Sequence, residues 1–281
     1  MTDKLLILAA GASSRMKASK GSTNLSPEDI QLANTRSKSL IPGPDGHRPL
    51  LDHLIRRAKA AGINDVYLIV GANLPDFQEF YGDRMKHNLL EGIHIHYAIQ
   101  HIPAGRTKPM GTADAVYQAM MQHPELQQGH FLVCNSDNLY SSQAIEILSR
   151  SETPASLIAY DRDALEFSNE RIARFALLLT DDQNYLSDII EKPQEDKMSQ
   201  FLGKDGKYRV SMNIFSFDGR LMFPFVRDCP INPDRDEKEI PTALLSACKA
   251  INQACYCYPI SEHVPDLTSK ADIQQFRKFL E

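Results

Sequence analysis

The N-terminal segment joins an apolar run to a loop of small residues. Residues 5–10 are all leucine, isoleucine or alanine, and residues 11–17 follow with small side chains, one methionine and two basic residues. Such an apolar run is typical of a buried parallel strand. Small side chains let backbone N–H groups approach a phosphate, and Arg15 and Lys17 supply positive charge. The segment therefore predicts a phosphate-binding loop at the end of a buried strand.

Two other phosphate-binding loops do not fit this segment. The sequence has no G-x-x-x-x-G-K-[ST] motif, which disfavours a P-loop kinase. It also lacks G-x-G-x-x-G after the first strand and an acidic residue about 20 positions later to hold a ribose, which disfavours a dinucleotide dehydrogenase. A turn that only joins a strand to a helix is the structural alternative.

Composition excludes several other classes of protein. Of the 281 residues, 42% are apolar and 24% are charged, and a net charge of −5 gives no basic surface for nucleic acid. No stretch approaches the roughly 18 apolar residues of a membrane span, and the first apolar run is too short for a signal peptide. We expect a cytoplasmic protein that binds neither nucleic acid nor a membrane. The five cysteines have no C-x-x-C spacing, so we expect free thiols.

Strand and helix patterns alternate along the first 150 residues. This alternation favours an α/β fold, with a Rossmann-like three-layer α/β/α arrangement around a mainly parallel mixed sheet. In open α/β sheets, ligands bind outside the carboxyl ends of the strands, where residues 11–17 and Asp137 would lie. The patterns predict helices at 51–58 and 112–121 and strands at 65–70, 93–99 and 130–134.

The pattern changes near residue 155. Asp181-Asp182-Gln183-Asn184 lies between two apolar runs, which predicts a hairpin. We expect one domain over 1–281, with functional halves at 1–150 and 151–281. No hexapeptide repeat is visible, so no C-terminal β-helix is expected in this sequence. The apolar runs of the hairpin are 172–179 and 186–190, and we expect further strands at 210–217 and 254–260 and helices at 239–251 and 269–280.

A long polar connection separates the first loop from Lys38. Connections of the length of residues 18–37 are usually lids or flexible segments in compact domains. Within it, Ser26-Pro27-Glu28-Asp29 combines an N-cap serine, a proline at the first helical position and two acids in the first turn. We therefore expect a short helix there.

Several polar residues have the chemistry of a binding site. Asp137 leaves a buried strand and is well placed to hold Mg²⁺, which prefers one or two carboxylates with phosphate oxygens and water; a capping aspartate is the alternative. Gln100 offers a donor and an acceptor to a base edge, and Gly111 lets the backbone approach a flat ring; a surface glutamine and a helix start are the alternatives. Lys192 can neutralise a phosphate, and Glu191 can accept bonds from hydroxyls.

In chain order, these segments resemble the motifs of the sugar-1-phosphate nucleotidylyltransferases. Residues 8–16 are similar to L-A-x-G-x-G-T-R-M, with Ser13 in place of a glycine, and Lys38 precedes a leucine and a proline as the family's lysine does. The other similar segments are Gln100 with 111–116 (Q…G-T-A-x-A-V), 131–140 (G-D-N/x-L-Y), 189–193 (V-x-E-K-P), 210–218 (V-N-x-G-I-Y-x-F) and 264–268 (D-x-x-T). Arg106 and Lys108 depart from the family pattern.

The resemblance implies a glycosyltransferase-A-like fold and an enzyme that couples a nucleoside triphosphate to a sugar 1-phosphate, with Mg²⁺ as cofactor. It makes residues 1–150 the nucleotide half and residues 151–281 the sugar-phosphate half. Catalytic roles are implied for Arg15, Lys38 and Lys192, and metal ligation for Asp137 and Asp266. Nucleotide contacts are implied for Leu8, Ala10, Gly11, Ala12, Ser13, Ser14, Gln100, Gly111 and Thr112, and sugar-phosphate contacts for Asn138, Glu191, Lys192 and Asn213.

Two alternative functions stay open at this point, because a fold does not fix a substrate. One is a cytidylyltransferase for phosphocholine or a polyol phosphate, which Ser13 and the segment around Arg106 allow. The other is a nucleotide-binding homologue without catalysis. The sequence indicates neither the base and the sugar nor the oligomeric state.

Overall fold

Ten strands in the described part of the chain form one central mixed sheet. The computed structural model of the protein describes residues 1–20, 25–83, 88–191 and 195–280. The strand order is β10-β6-β9-β5-β1-β2-β4-β3, and β7 pairs with β8 and β9. The strands are β1 (Lys4–Leu8), β2 (Asp65–Val70), β3 (Asn88–Leu90), β4 (Ile93–Ile99), β5 (His130–Asn135), β6 (Ala155–Asp161), β7 (Leu177–Thr180), β8 (Leu186–Ile190), β9 (Arg209–Asp218) and β10 (Cys255–Ile260).

Helices cover both faces of this sheet. Leu5 and Ile7 of β1 are buried in one apolar layer and Leu6 is buried in the other, as the alternation of side chains along a strand requires. Helices α1–α4, α6 and α10 pack in the first layer, and α5, α8 and α9 pack in the second. The helices are α1 (Ser14–Ala18), α2 (Pro27–Thr35), α3 (Leu50–Ala60), α4 (Leu74–Tyr81), α5 (Thr112–Gln122), α6 (Ser142–Ser149), α7 (Asn169–Ile172), α8 (Gly219–Arg227), α9 (Ile240–Ala250) and α10 (Asp272–Leu280).

The strand directions place the ends of β1 and β5 at one edge. Strand β1 is parallel to both β2 and β5, and β2 is parallel to β4, so these four strands form a parallel centre. Strand β9 runs antiparallel between β5 and β6 and makes the sheet mixed. The expected three-layer fold is confirmed. No helix in the described ranges is long and apolar enough to cross a membrane.

Most predicted elements are present, and one is wrong in part. The hairpin around Asp181 is confirmed, since β7 and β8 pair antiparallel on either side of it. The apolar run at 172–179 does not form one strand, because its first residue ends α7 and the strand begins only at Leu177. The Ser168 carbonyl accepts the backbone N–H groups of Arg171 and Ile172, each at 2.9 Å, so a helical turn extends to the first residue of the predicted strand.

The long polar connection contains the expected helix, and the C-terminal helix holds it. The Ser26 side chain accepts the Asp29 N–H at 3.1 Å and caps α2. Arg277 of α10 binds both carboxylate oxygens of Asp29, at 2.6 and 2.9 Å, and also donates to the Pro42 carbonyl at 2.9 Å. Such two-pronged guanidinium–carboxylate pairs fix geometry as well as add energy. The segment that carries Lys38 is therefore fixed at both ends.

A buried lysine fixes the end of the helix that follows the first loop. Lys270 is 2% exposed and donates to the carbonyl oxygens of Met16 and Lys17, at 3.0 and 3.1 Å, and to that of Ser19. These groups lie at the end of α1, where carbonyls have no partner within the helix and the helix dipole attracts a cation.

We expect Lys270→Met to lower the free energy of unfolding by about 2–3 kcal/mol, because three carbonyls would lose a charged donor in a buried position. Urea unfolding at neutral pH measures this loss. The matched control is Lys278→Met on the exposed side of α10, for which we expect a change within about 0.5 kcal/mol. Equal stability of the two variants would contradict the assignment.

Candidate functional site

The loop after β1 presents its backbone to solvent. Gly11, Ala12 and Ser14 are exposed, whereas Met16 one turn later is fully buried and anchors α1. Ser13 has φ 55°, a left-handed conformation that glycine adopts more easily. Its hydroxyl accepts the backbone N–H of Lys38 at 3.2 Å. The serine therefore adds a hydrogen bond to the Lys38 segment, which a glycine would not provide.

All the residues proposed for the nucleotide line one cleft of about 400 Å³. The cleft lies where β1 and β5 end, as the sheet topology predicts. Arg15 lies at its edge, and the Arg15 side chain forms no hydrogen bond or ion pair with any described residue. The cleft brings together Leu8, Ala10, Gly11, Ala12, Ser13, Ser14, Arg15, Lys38, Gln100, Gly111 and Thr112.

Gln100 has a fixed orientation in this cleft. Its amide nitrogen donates to the Gly111 carbonyl at 2.9 Å and to Asp114 at 3.2 Å. Gln118 also donates to the Asp114 carboxylate, at 2.8 Å, so Asp114 holds both amides. The Gln100 carbonyl oxygen accepts no hydrogen bond within the described part of the chain. The sequence predicts both a donor and an acceptor for a base, and the structure leaves the acceptor free.

Gly111 has a structural role that the sequence does not reveal. It has φ 108°, and a Cβ built on it would lie 2.3 Å from the Lys238 carbonyl oxygen. The Lys238 backbone also bonds Met110 and Ala113, at 2.6 and 3.0 Å. The Thr112 hydroxyl accepts the Ile240 N–H at 3.0 Å. The sequence predicts that a flat ring approaches Gly111 closely, and the chain that leads into α9 already packs against one side of this glycine.

The two aspartates predicted as metal ligands lie side by side. Asp137 follows β5, and Asp266 lies in the segment before α10. The two segments pair through an antiparallel bridge between Asn138 and Asp266. The Leu139 N–H donates to the Pro265 carbonyl at 3.0 Å, and the Leu267 N–H donates to the Asp137 carbonyl at 2.9 Å. Both aspartates line a second cleft of about 600 Å³ that adjoins the first.

This acidic pair has the ligands that a hard divalent cation prefers. Burial, and then the like charge of Asp137, raise the pKa of Asp266, while Arg171 opposes the shift. Adjacent carboxylates that repel each other are stabilised by a shared cation. The described residues contain no group of three or more histidine, cysteine, aspartate or glutamate side chains around a metal position. Mg²⁺ needs only one or two carboxylates when phosphate oxygens and water complete its shell, so the pair fits it.

Each aspartate has a basic partner from a different element. Lys38 forms an ion pair with Asp137 through its ammonium group. Arg171 of α7 lies 3.0 Å from the Asp266 carboxylate and 2.6 Å from that of Asp272. It also donates to the Asp266 backbone carbonyl at 2.8 Å. The sequence gives no signal for Arg171, since no motif contains it and the apolar run that follows it is typical of a strand.

Three of the four residues proposed for the sugar phosphate line the second cleft together with the aspartates. Asn213 has φ 58° in an irregular part of β9, where its exposed side chain lines the second cleft. Such bulges are common beside active sites, where they redirect a side chain. The Tyr140 hydroxyl donates to the Met212 carbonyl at 2.7 Å and supports this irregularity. Asn138 and Glu191 line the same cleft. Lys192 lies outside the described residues.

A loop between α8 and α9 closes the second cleft. Arg235 forms ion pairs with Glu191 and, at 2.7 Å, with Glu239. Arg106 lies 2.9 Å from the Asp236 carboxylate, and Lys108 donates to the Arg235 carbonyl at 2.6 Å. The two basic residues that depart from the family pattern thus hold this loop. Arg235 is a further cation of the cleft that sequence reasoning missed, since it lies in a polar stretch without a motif.

Known proteins are similar to this chain in sequence and in fold. The family model described as nucleotidyl transferase matches residues 5–262. The bifunctional protein GlmU of Staphylococcus haemolyticus is 24% identical over 247 residues, which are 87% of this chain and 45% of that protein. The chain spans less than half the length of the curated relatives it matches.

Two solved structures share the fold. A protein assigned as a glucose-1-phosphate thymidylyltransferase from Bacillus anthracis, in complex with a sucrose, superposes with a TM-score of 0.66 at 19% identity, over 98% of this chain and 94% of that one. A UDP-glucose pyrophosphorylase complexed with UDP-glucose superposes with a TM-score of 0.71 at 14% identity, over 100% of this chain and 98% of that one. At these identities the likeness concerns the fold.

We expect Arg171→Met to destabilise the protein by about 3 kcal/mol, because it would leave Asp266 and Asp272 without their shared cation in a largely buried position. For a chain of this size, this loss corresponds to a melting temperature lower by about 6–12 °C. Scanning calorimetry measures it. Arg174→Met is the control, since Arg174 is exposed two residues beyond α7. A melting temperature unchanged in Arg171→Met would contradict the role given to this ion pair.

Proposed function

Because the chain belongs to the nucleotidyl transferase family, we propose that it couples a nucleoside triphosphate to a sugar 1-phosphate and releases pyrophosphate. One observation carries the proposal: the exposed loop after β1 and the Asp137–Asp266 pair line adjoining clefts that share Arg15 and Asp137. A triphosphate and a second phosphate can therefore meet at the aspartates. The names of the two structural neighbours, which concern glucose-1-phosphate and UDP-glucose, support a sugar phosphate as the second substrate.

In the proposed reaction, an oxygen of the sugar phosphate attacks the α-phosphorus of the triphosphate. The bond between the α-phosphorus and the oxygen that bridges to the β-phosphate breaks, and that oxygen leaves with the pyrophosphate. No covalent enzyme intermediate is needed. The protein has little bond chemistry to perform, so its contribution is to position the phosphates and to stabilise their charge.

The nucleotide occupies the first cleft in this proposal. Exposed N–H groups of residues 11–14 face the phosphates, and Arg15 and Lys38 draw charge from the leaving pyrophosphate. Gln100 meets the base through its free carbonyl oxygen, and this acceptor fits a donor on the base edge, such as the N3–H of uracil or thymine. Gly111 and Thr112 form the wall beside the base.

The sugar phosphate occupies the second cleft. Glu191, Asn138 and Asn213 offer acceptors and donors to sugar hydroxyls. Lys192 binds the attacking phosphate in this proposal, and Arg235 lies in the same cleft with a planar guanidinium that suits a phosphate. Ion pairs with Glu191 and Glu239 fix the position of Arg235 in this cleft.

Asp137 and Asp266 would hold a Mg²⁺ ion. When bound, the ion neutralises phosphate charge as it develops during the transfer. The two aspartates keep their spacing through the backbone bridge of their segments, independently of the ion. Arg171 keeps the Asp266 carboxylate in place from the other side.

We expect Mg²⁺-dependent release of pyrophosphate from one pair of substrates. The measurement is a coupled pyrophosphate assay over UTP, dTTP, CTP, GTP and ATP against several sugar 1-phosphates, with phosphocholine and a polyol phosphate in the panel. Asp137→Asn should lower kcat by about 100- to 1,000-fold, as the loss of a group that stabilises transition-state charge does.

Pyrophosphate release with only phosphocholine or only the polyol phosphate would mean that this compound, and not a sugar phosphate, is the second substrate. Nucleotide binding without turnover for every pair would favour the homologue without catalysis. Near-normal turnover of Asp137→Asn would remove the metal assignment.

We also expect the two clefts to respond separately to substitution. Arg15→Ala should raise KM for the nucleotide by about tenfold, the loss of about 1.4 kcal/mol of binding, and Lys192→Ala should do the same for the sugar phosphate. Steady-state kinetics with each substrate varied in turn measures the two effects. The opposite pattern would mean that the two half-sites are exchanged.

A further inference from the structure

Lys38 and Asp137 bind each other although the proposed reaction gives them different partners. The ammonium group of Lys38 forms an ion pair with the Asp137 carboxylate, and the two side chains are 17% and 13% exposed. In the proposed reaction Lys38 faces the triphosphate and Asp137 holds the metal. The Asp137 oxygen that carries the ammonium group cannot accept a metal ion at the same time.

The two cations that pair with Asp137 and Asp266 are held very differently. Arg171 binds Asp266 and Asp272, donates to a backbone carbonyl, and stacks its guanidinium 4.4 Å from the centre of the Phe167 ring. The Lys38 ammonium group donates a hydrogen bond only to Asp137 among the described residues. A change of rotamer therefore frees Lys38 at the cost of one ion pair, whereas four contacts retain Arg171.

The backbone of Lys38 stays in place when its side chain moves. Its N–H donates to the Ser13 hydroxyl at 3.2 Å, and its carbonyl accepts the Ile41 N–H at 3.3 Å. Ser13 belongs to the loop that faces the phosphates in the proposed reaction, and Lys38 lines the same cleft. The flexible stem of a lysine spans several ångströms, so its ammonium group can reach either a carboxylate or a phosphate from one backbone position.

We propose that Lys38 is a placeholder cation, which occupies Asp137 in the unliganded protein and moves to the triphosphate when a metal–nucleotide complex binds. A free metal ion would either displace the ammonium group and leave it unpaired in a largely buried site, or bind the other Asp137 oxygen beside a positive charge, and both are costly. A metal–nucleotide complex brings the oxyanions that receive the ammonium group. The metal therefore enters with its nucleotide and not before it. This inference rests on the proposed function.

The test is the binding of Mn²⁺ to the protein without nucleotide, measured from the electron paramagnetic resonance signal of the free ion. We expect Lys38→Met and Lys38→Gln each to bind Mn²⁺ about tenfold more tightly than the unmodified chain, because the competing cation is gone. In the presence of each nucleoside triphosphate of the panel, the same variants should bind the metal–nucleotide complex more weakly. These opposite changes distinguish an exchange from a structural role, which would weaken both.

Three further variants complete the design. Arg15→Met should leave the binding of Mn²⁺ alone unchanged, since Arg15 contacts neither carboxylate, while it weakens the metal–nucleotide complex. Asp137→Asn should lose Mn²⁺ binding, and Lys38→Arg should keep the weak binding of the unmodified chain.

Mn²⁺ binding that is no tighter in Lys38→Met and Lys38→Gln than in the unmodified chain would overturn the inference, even for an active enzyme. Suppose that the Lys38 variants bind Mn²⁺ more tightly and the metal–nucleotide complex more weakly, but that the unmodified chain turns over no pair of substrates. This result would support the exchange and count against the proposed function.

Discussion

The backbone bonds between residues 137–139 and 265–267 are the constraint on which the site depends. They attach the exit of β5 to a segment that is remote in sequence, and so they place Asp266 beside Asp137. The same short segment continues to Lys270, which holds the end of α1, and to Asp272, which shares Arg171 with Asp266. The eight residues 265–272, which lead into α10, therefore connect the first loop, the acidic pair and helix α7. Its peptide groups fix distances that exposed side chains could not fix.

Much of the fold follows from local patterns. Strands β2 and β4 have the predicted bounds because each is an apolar run of ordinary strand length between polar or turn residues. The loop after β1 and Asp137 meet because parallel strands share a carboxyl edge. The helix in the polar connection follows from the cap at Ser26. These features depend on chain geometry over a few residues, so one sequence suffices to predict them.

The features that the sequence did not reveal depend on long-range contacts. Arg171 and Lys270 are ordinary basic residues in their local context, and partners 95 and 254 positions away give them a role. Arg235 pairs with Glu239 four positions away, but its contact with the second cleft at Glu191 spans 44 positions. The start of α7 follows from backbone bonds to Ser168 that compete with the apolar run after it. The motif predicts a ligand contact at Gly111, which stays a prediction, and the close approach of the Lys238 backbone is a second reason for a glycine there. Local propensity carries no information about which distant segment of the chain packs against a given residue.

The contact at Gly111 couples the two clefts. The chain that passes over it, from Glu237 to Ile240, follows Arg235 and leads into α9, while Gly111 itself ends the segment 100–111, which is proposed to face the base. No side chain fits between these two backbones, so neither can be redesigned or replaced alone without displacing the other. If residues 100–111 bind the base as proposed, substitutions there that change the base preference would need matching substitutions in residues 228–240. Replacing residues 100–111 with those of a relative, but keeping residues 228–240, would leave two backbones that do not pack against each other at Gly111 and Lys238.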